Sequence, residues 1–186
     1  MQHKMHEDIA KVLISRESLR SKVKELGEQI AQDYQDKEVI AVAILKGSVV
    51  FFADLIRAID MPVQLDFMSI SSYGNSRSSS GVVQIRKDLD INISGKHVLI
   101  IEDIMDSGQT LYYLMDMLSA REPASLKVCC LLDKPERRVA DIQPDYCGFV
   151  IPDEFVVGYG LDYAEKYRNL DYVGVLNSYV YESENE

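Results

Sequence analysis

The stretch VLIIEDIMDSGQTL, residues 98–111, decides the reading of this chain. Val98 to Ile101 are apolar and largely β-branched, which fits a strand delivered into the interior of a sheet. The loop after Ile101 opens with two adjacent carboxylates, Glu102 and Asp103. Asp106, Ser107, Gly108, Gln109 and Thr110 then combine an acid, two hydroxyls and a glycine at the start of a helix that carries Leu111, Leu114, Met115 and Leu118. Free backbone N–H groups and the helix dipole favour a phosphate at such a start. The paired carboxylates suit sugar hydroxyls and Mg²⁺ held through water. A P-loop would need a lysine before its hydroxyl residue, and Gln109 stands there instead. The expectation is a strand–acidic loop–helix site for a phosphorylated sugar with Mg²⁺.

The same alternation continues on both sides. Residues 15–35 read as an amphipathic helix with Leu19, Val23, Leu26 and Ile30 on one face and Ser15 as its N-cap. VIAVAIL, Val39 to Leu45, is a second buried strand; LKGS follows it, then a helical run through Phe52, Leu55, Ile56 and Ile59. Pro62 opens VQLDFMSI, and further strands are expected at 126–132, 146–151 and 172–176. Strands alternating with helices predict an α/β fold with a parallel sheet covered by helices on both faces and ligands beyond the strands' carboxyl ends. Residues 71–81, SSYGNSRSSSG, interrupt the pattern with a serine-rich loop between two strand-like flanks. Such a loop inside a domain points to function. The tail YESENE and the N-terminal region with His3 and His6 read as frayed.

Bulk composition bounds the function. The chain has 186 residues, 47% of them hydrophobic, which suits a single domain spanning 1–186. No run approaches the ~18 apolar residues needed to span a bilayer, and the start lacks a secretory signal core. The cytoplasm is the expected compartment. Three cysteines without ligand spacing read as small buried hydrophobes. A net charge of −10 argues against nucleic acid as the partner.

The string EDxxDSGxTL behind an apolar strand resembles the signature of the type I phosphoribosyltransferase family, which binds 5-phosphoribosyl 1-diphosphate (PRPP). LKGS at 45–48, SYGN at 72–75, LLDKPERR at 131–138 and IPDEFVVGYGLDY at 151–163 are similar, in the same order, to segments of its hypoxanthine (hypoxanthine-guanine) branch. The resemblance runs from about residue 39 to about residue 170. It implies a parallel sheet flanked by helices, a small hood subdomain formed by the N- and C-terminal segments, and a flexible active-site loop near 71–81.

The implied reaction is transfer of the phosphoribosyl group from PRPP to N9 of hypoxanthine or guanine, giving IMP or GMP and diphosphate, with Mg²⁺ as cofactor. By the same resemblance, Lys46, Gly47, Ser72, Tyr73 and Arg168 meet the diphosphate, and the Leu45–Lys46 peptide can be cis. Glu102 and Asp103 hold the ribose hydroxyls directly or through Mg²⁺, and Asp162 offers a further metal contact. Asp106 to Thr110 cradle the 5′-phosphate, and Asp106 is the acid/base near purine N7. Phe155 stacks on the purine, whose edge meets the backbone near Val156 and Asp162. Lys134 reads O6, an acceptor in hypoxanthine and guanine, where adenine presents an amino donor. The resemblance also implies a homodimer or homotetramer. Two alternatives remain at this stage: a PRPP-binding regulator of nucleic acid, and a transferase preferring xanthine.

Overall fold

The computed structural model describes residues 5–72 and 83–182. Strand β1 (Ile9–Ile14) precedes helix α1 (Arg16–Asp33). Ser15 caps α1 as expected, its hydroxyl accepting the N–H of Ser18 at 3.2 Å. Leu19, Val23, Leu26 and Ile30 are all buried. Strand β2 (Val39–Leu45) leads into α2 (Val49–Ala58), β3 (Val63–Ser72) and β4 (Val83–Lys87). Then come β5 (His97–Met105), α3 (Gln109–Ser119), β6 (Ser125–Asp133), β7 (Tyr146–Val150), a two-residue β8 (Val156–Val157), β9 (Val173–Leu176) and a short α4 (Ser178–Glu182).

Six strands form the main sheet in the order β4-β3-β2-β5-β6-β7. The pairs β2–β3, β2–β5, β5–β6 and β6–β7 are parallel. Every residue of β2 from Val39 to Ile44 is buried, which explains a strand without polar alternation. On one face, α1 and α2 pack Leu19, Leu26, Phe51 and Leu55 against Ala41, Ala43, Leu99 and Ile101. On the other, α3 packs Leu111, Leu114 and Leu118 against Ile40, Val42, Val98 and Ile100.

Two features depart from the expected uniform alternation. Strand β4 pairs with β3 antiparallel, because the ten residues between Ser72 and Val83 are too few for a helical crossover. Between β6 and β7 the described chain makes only the short 3₁₀ turn Pro135–Arg137, with no covering helix. The loop expected at 71–81 falls, from Tyr73 on, outside the described residues.

The ends of the chain meet in a second sheet of order β1-β9-β8, antiparallel throughout. Strands β1 and β8 have no counterpart in the sequence reading, and the expected strand at 172–176 joins this sheet rather than the main one. Nor are the ends frayed where they are described. His6 Nδ1 lies 2.8 Å from the Tyr172 hydroxyl, and buried Asp8 accepts hydrogen bonds from the hydroxyls of Tyr167 at 2.7 Å and Tyr179 at 3.1 Å. Cys129 and Cys130 are buried as expected, whereas Cys147 on the edge strand is only partly so. Among the described residues, no helix is long and apolar enough to cross a membrane.

Candidate active site

Strands β2, β5 and β6 run in parallel and deliver their following segments to one edge of the sheet. β5 does not end at Ile101. Its ladder with β6 continues through Glu102↔Cys130 and Met105↔Asp133, so Glu102 and Asp103 stand on the strand and not in the loop beyond it. Asp106 is the first residue past the strand. It is not a helix cap; Gly108 holds that position for α3. The Ser107 hydroxyl accepts the N–H of Gln109 at 3.4 Å, and the Ser107 carbonyl accepts the N–H groups of Val139 and Ala140 at 2.9 and 3.1 Å. The turn that would cradle a phosphate is thus braced from behind by the segment after β6. A cavity of about 120 Å³ lies there, lined by Glu102, Met105, Asp106, Ser107, Gly108 and Thr110 among others.

The loop after β2 comes directly against these carboxylates. The Leu45–Lys46 peptide is cis. At Gly47 there is no room for a side chain, since a Cβ would sit 1.9 Å from Asp103 Oδ2. Gly160, in the left-handed region at φ +106°, closes in from the other side; a Cβ there would meet the Gly47 carbonyl oxygen at 2.1 Å. Lys46 Nζ pairs with Glu165 at 3.1 Å. Arg168 pairs with Asp162 at 2.8 Å and with Glu165 at 3.4 Å, and donates to the Gly160 carbonyl at 2.8 Å. Arg168 is on no helix: residues 163–166 form a turn closed by the Tyr163↔Lys166 bridge. Lys46, Gly47, Asp103, Asp162 and Arg168, scattered in sequence, therefore gather in one place.

Burial pushes the Glu102 carboxyl well above its ordinary range, with the Asp103 charge adding to the effect. Burial likewise raises Asp103 to about 6, against the N–H of Ile104 and the charge of Arg168, which pull it down. A cation beside these two adjacent acids would favour the ionised form of both. Among the described residues no three His, Cys, Asp or Glu side chains converge where they could hold a metal by themselves. The adjacent carboxylates of Glu102 and Asp103 fit Mg²⁺, which is bound through one or two carboxylates together with waters and substrate phosphate oxygens.

The third group lies beyond β6 and β7. Lys134 is 7% exposed, so it is not the surface lysine its KPERR setting would allow. Its Nζ donates to the Glu154 carbonyl at 2.7 Å and lies 3.8 Å from Asp153. Val156 is buried, whereas Phe155 is 44% exposed and so is no ordinary core residue. Its ring stands 5.7 Å from Tyr163, edge-on, and 5.3 Å from Tyr181, tilted. Of the expected site residues, Tyr73 lies outside the described residues, as does the side chain of Ser72.

Four contributors escaped the sequence reading. Glu165 receives both Lys46 and Arg168. Tyr163 and Tyr181 surround Phe155, although among the tyrosines only Tyr73 had been given a role. Arg137 bridges two acids, with Nε on Asp106 Oδ1 at 2.6 Å and Nη1 on Asp153 at 3.3 Å. Arg137 and Tyr163 had a weak signal, lying inside the segments LLDKPERR and IPDEFVVGYGLDY; Glu165 and Tyr181 had none.

A parallel sheet carrying a phosphate-type turn on β5, a glycine-tight loop on β2 and a partly exposed aromatic beside a buried lysine defines a class, and the chain belongs to the phosphoribosyl transferase domain family, which it matches over residues 15–164. Within that family it is 56% identical, over 96% of its own length and 99% of the relative's, to the hypoxanthine-guanine phosphoribosyltransferase of Bacillus subtilis. The protein of the same name from Streptococcus thermophilus is 52% identical over 95% of this chain and 98% of its own length. Among solved structures, a hypoxanthine phosphoribosyltransferase from Staphylococcus aureus superposes with a TM-score of 0.94 at 50% identity, covering 97% of this chain and 99% of that one.

Proposed function

We propose that this chain transfers the 5-phosphoribosyl group of PRPP to N9 of hypoxanthine and guanine, yielding IMP or GMP and diphosphate in purine salvage. The observation that carries this reading is Lys134: a buried side chain whose Nζ donates to the Glu154 carbonyl and makes no other hydrogen bond among the described residues, next to the partly exposed Phe155. Such a donor matches the O6 acceptor of a 6-oxopurine and is mismatched to the adenine amino group. The identities of the B. subtilis and S. aureus relatives support the same reaction.

In this reading the bond from ribosyl C1′ to the diphosphate breaks as that from purine N9 forms. Asp106 to Thr110 hold the 5′-phosphate through backbone N–H groups at the start of α3. Glu102 and Asp103 hold the ribose hydroxyls. Lys46, the Gly47 backbone and Arg168 receive the diphosphate, together with Ser72 and Tyr73. Phe155 stacks on the purine, and the backbone at Val156 and Asp162 meets its edge. Asp106 takes the N7 proton as N9 becomes bonded. Glu102 and Asp103 are the side chains that would hold Mg²⁺ together with substrate oxygens, with Asp162 as a candidate further contact, and the ion when bound would offset the charge of the diphosphate. The enzyme works in the cytoplasm as two or four copies.

The test is a spectrophotometric assay with PRPP, Mg²⁺ and hypoxanthine, guanine, xanthine or adenine in turn. Turnover with the first two and none with adenine is expected. Turnover confined to xanthine would reassign the base, and turnover with no base would overturn the reading.

A further inference from the structure

We propose that Arg137 is a positioning residue for the transfer, acting through Asp106; the inference rests on the reading of Asp106 as the group that takes the purine N7 proton. Three segments converge at this edge of the sheet: the turn after β5 with Asp106, the 3₁₀ turn after β6 with Arg137, and the loop after β7 with Asp153. One guanidinium links all three. Its Nε donates to Asp106 Oδ1 at 2.6 Å, and its Nη1 lies 3.4 and 3.3 Å from the two oxygens of Asp153. Asp153 in turn stands 3.8 Å from Nζ of Lys134. The result is a row of alternating charge, Asp106–Arg137–Asp153–Lys134, running from the proton acceptor to the reader of the base.

The geometry at Asp106 separates its two oxygens. Arg137 engages Oδ1, and among the described residues Oδ2 takes no hydrogen bond. One oxygen is anchored and the other is left for N7. Among the described residues Asp106 has no other side-chain hydrogen-bond partner, and it does not cap α3, where Gly108 stands. A guanidinium suits the task because its planar fork reaches acids on two loops at once, whereas an ammonium is a single point charge. The pair is about half exposed on both sides, so it adds little to stability. Its effect falls on where the carboxylate points, and a displacement of the order of 1 Å costs about 10²-fold in rate.

The experiment is a kinetic cycle with Arg137→Ala, Arg137→Lys, Asp106→Asn and the double variant Arg137→Ala/Asp106→Asn, with kcat and KM measured separately for PRPP and hypoxanthine. Asp106→Asn is expected to lower kcat by about 10²- to 10⁴-fold. Arg137→Ala should lower kcat by about 10- to 100-fold with the KM for PRPP within about twofold, and Arg137→Lys should recover part of the loss. The double variant should turn over no more slowly than Asp106→Asn alone, because an anchor has no effect once its carboxylate is gone. An Arg137→Ala enzyme with parental kcat overturns the inference. So does a loss of the same factor in the Asp106→Asn background, which would mean that Arg137 acts elsewhere. If Asp106→Asn itself keeps full kcat, the proton-acceptor reading fails and this inference falls with it, an outcome distinct from the other two.

Discussion

Replacing Lys134 by alanine tests the origin of base selection. Lys134 is 7% exposed and its Nζ donates to the Glu154 carbonyl at 2.7 Å, so the ammonium is held in place before any purine arrives. A hydrogen bond from a charged donor is worth about 1.5–3 kcal/mol. At ~1.4 kcal/mol per factor of ten, its loss lowers kcat/KM for hypoxanthine by about 10- to 150-fold. Adenine offers no acceptor at the 6-position, so its own kcat/KM should change little or rise. The hypoxanthine-to-adenine ratio should therefore collapse by at least the factor lost for hypoxanthine. The substitution also strips the Glu154 carbonyl of its donor, at about 1–3 kcal/mol of folding stability. Thermal melts of both proteins, run first, establish that the variant is folded at the assay temperature. The measurement is kcat/KM for both bases at saturating PRPP. A ratio within about twofold of the parent's would refute the assignment and leave Lys134 as a structural tie to the loop at Glu154.

Gly47→Ala places a Cβ where Asp103 Oδ2 stands, at 1.9 Å. Either the carboxylate or the loop after β2 must shift by about 1 Å, which predicts a drop of about 10²-fold in kcat read by the same assay; an unimpaired enzyme would show that this close approach plays no part in turnover. Asp103 gives a pH prediction for the metal-free protein. Its folded value of about 6 lies above its ordinary 3.8, so the native state binds the proton more tightly than the unfolded chain. The resulting stability is fully present below the unfolded value and is lost as pH rises through the folded one. In the presence of a chelator, the melting temperature of the parent should therefore fall between about pH 4 and about pH 7 relative to that of Asp103→Asn. A constant difference across that window would contradict the raised value.

The layered core was legible because its signals are local and strong. Continuous apolar strands such as Val39–Ile44 and an N-capped amphipathic helix at Arg16–Asp33 are written in consecutive residues, and the structure has them. The antiparallel turn-back of β4 was also implicit in the ten residues after Ser72, since a parallel return needs a longer crossover. Strand β8, by contrast, is two residues long. Strand β1 exposes Ala10, Lys11 and Val12 alike. Neither carries a periodicity, because each exists only by pairing with β9 at the far end of the chain.

The site divides along the same line. The turn proposed for the phosphate is contiguous, so its place between strand and helix could be read from consecutive residues, and the offset lies in where the strand ends. Glu102 and Asp103 look like loop residues because carboxylates are poor strand formers. They remain in the ladder because β6 supplies hydrogen-bond partners through Met105, and the resulting burial is what raises their pKa values. Contacts between distant segments left no local trace. Glu165 matters because Lys46 lies 3.1 Å away, across 119 positions of sequence. Tyr181 matters because the end of the chain folds over Phe155. A motif names the residues that touch a ligand, while the residues that aim them are chosen by tertiary geometry. Arg137 is such a case, since only the convergence of three loops gives its guanidinium two acids to hold.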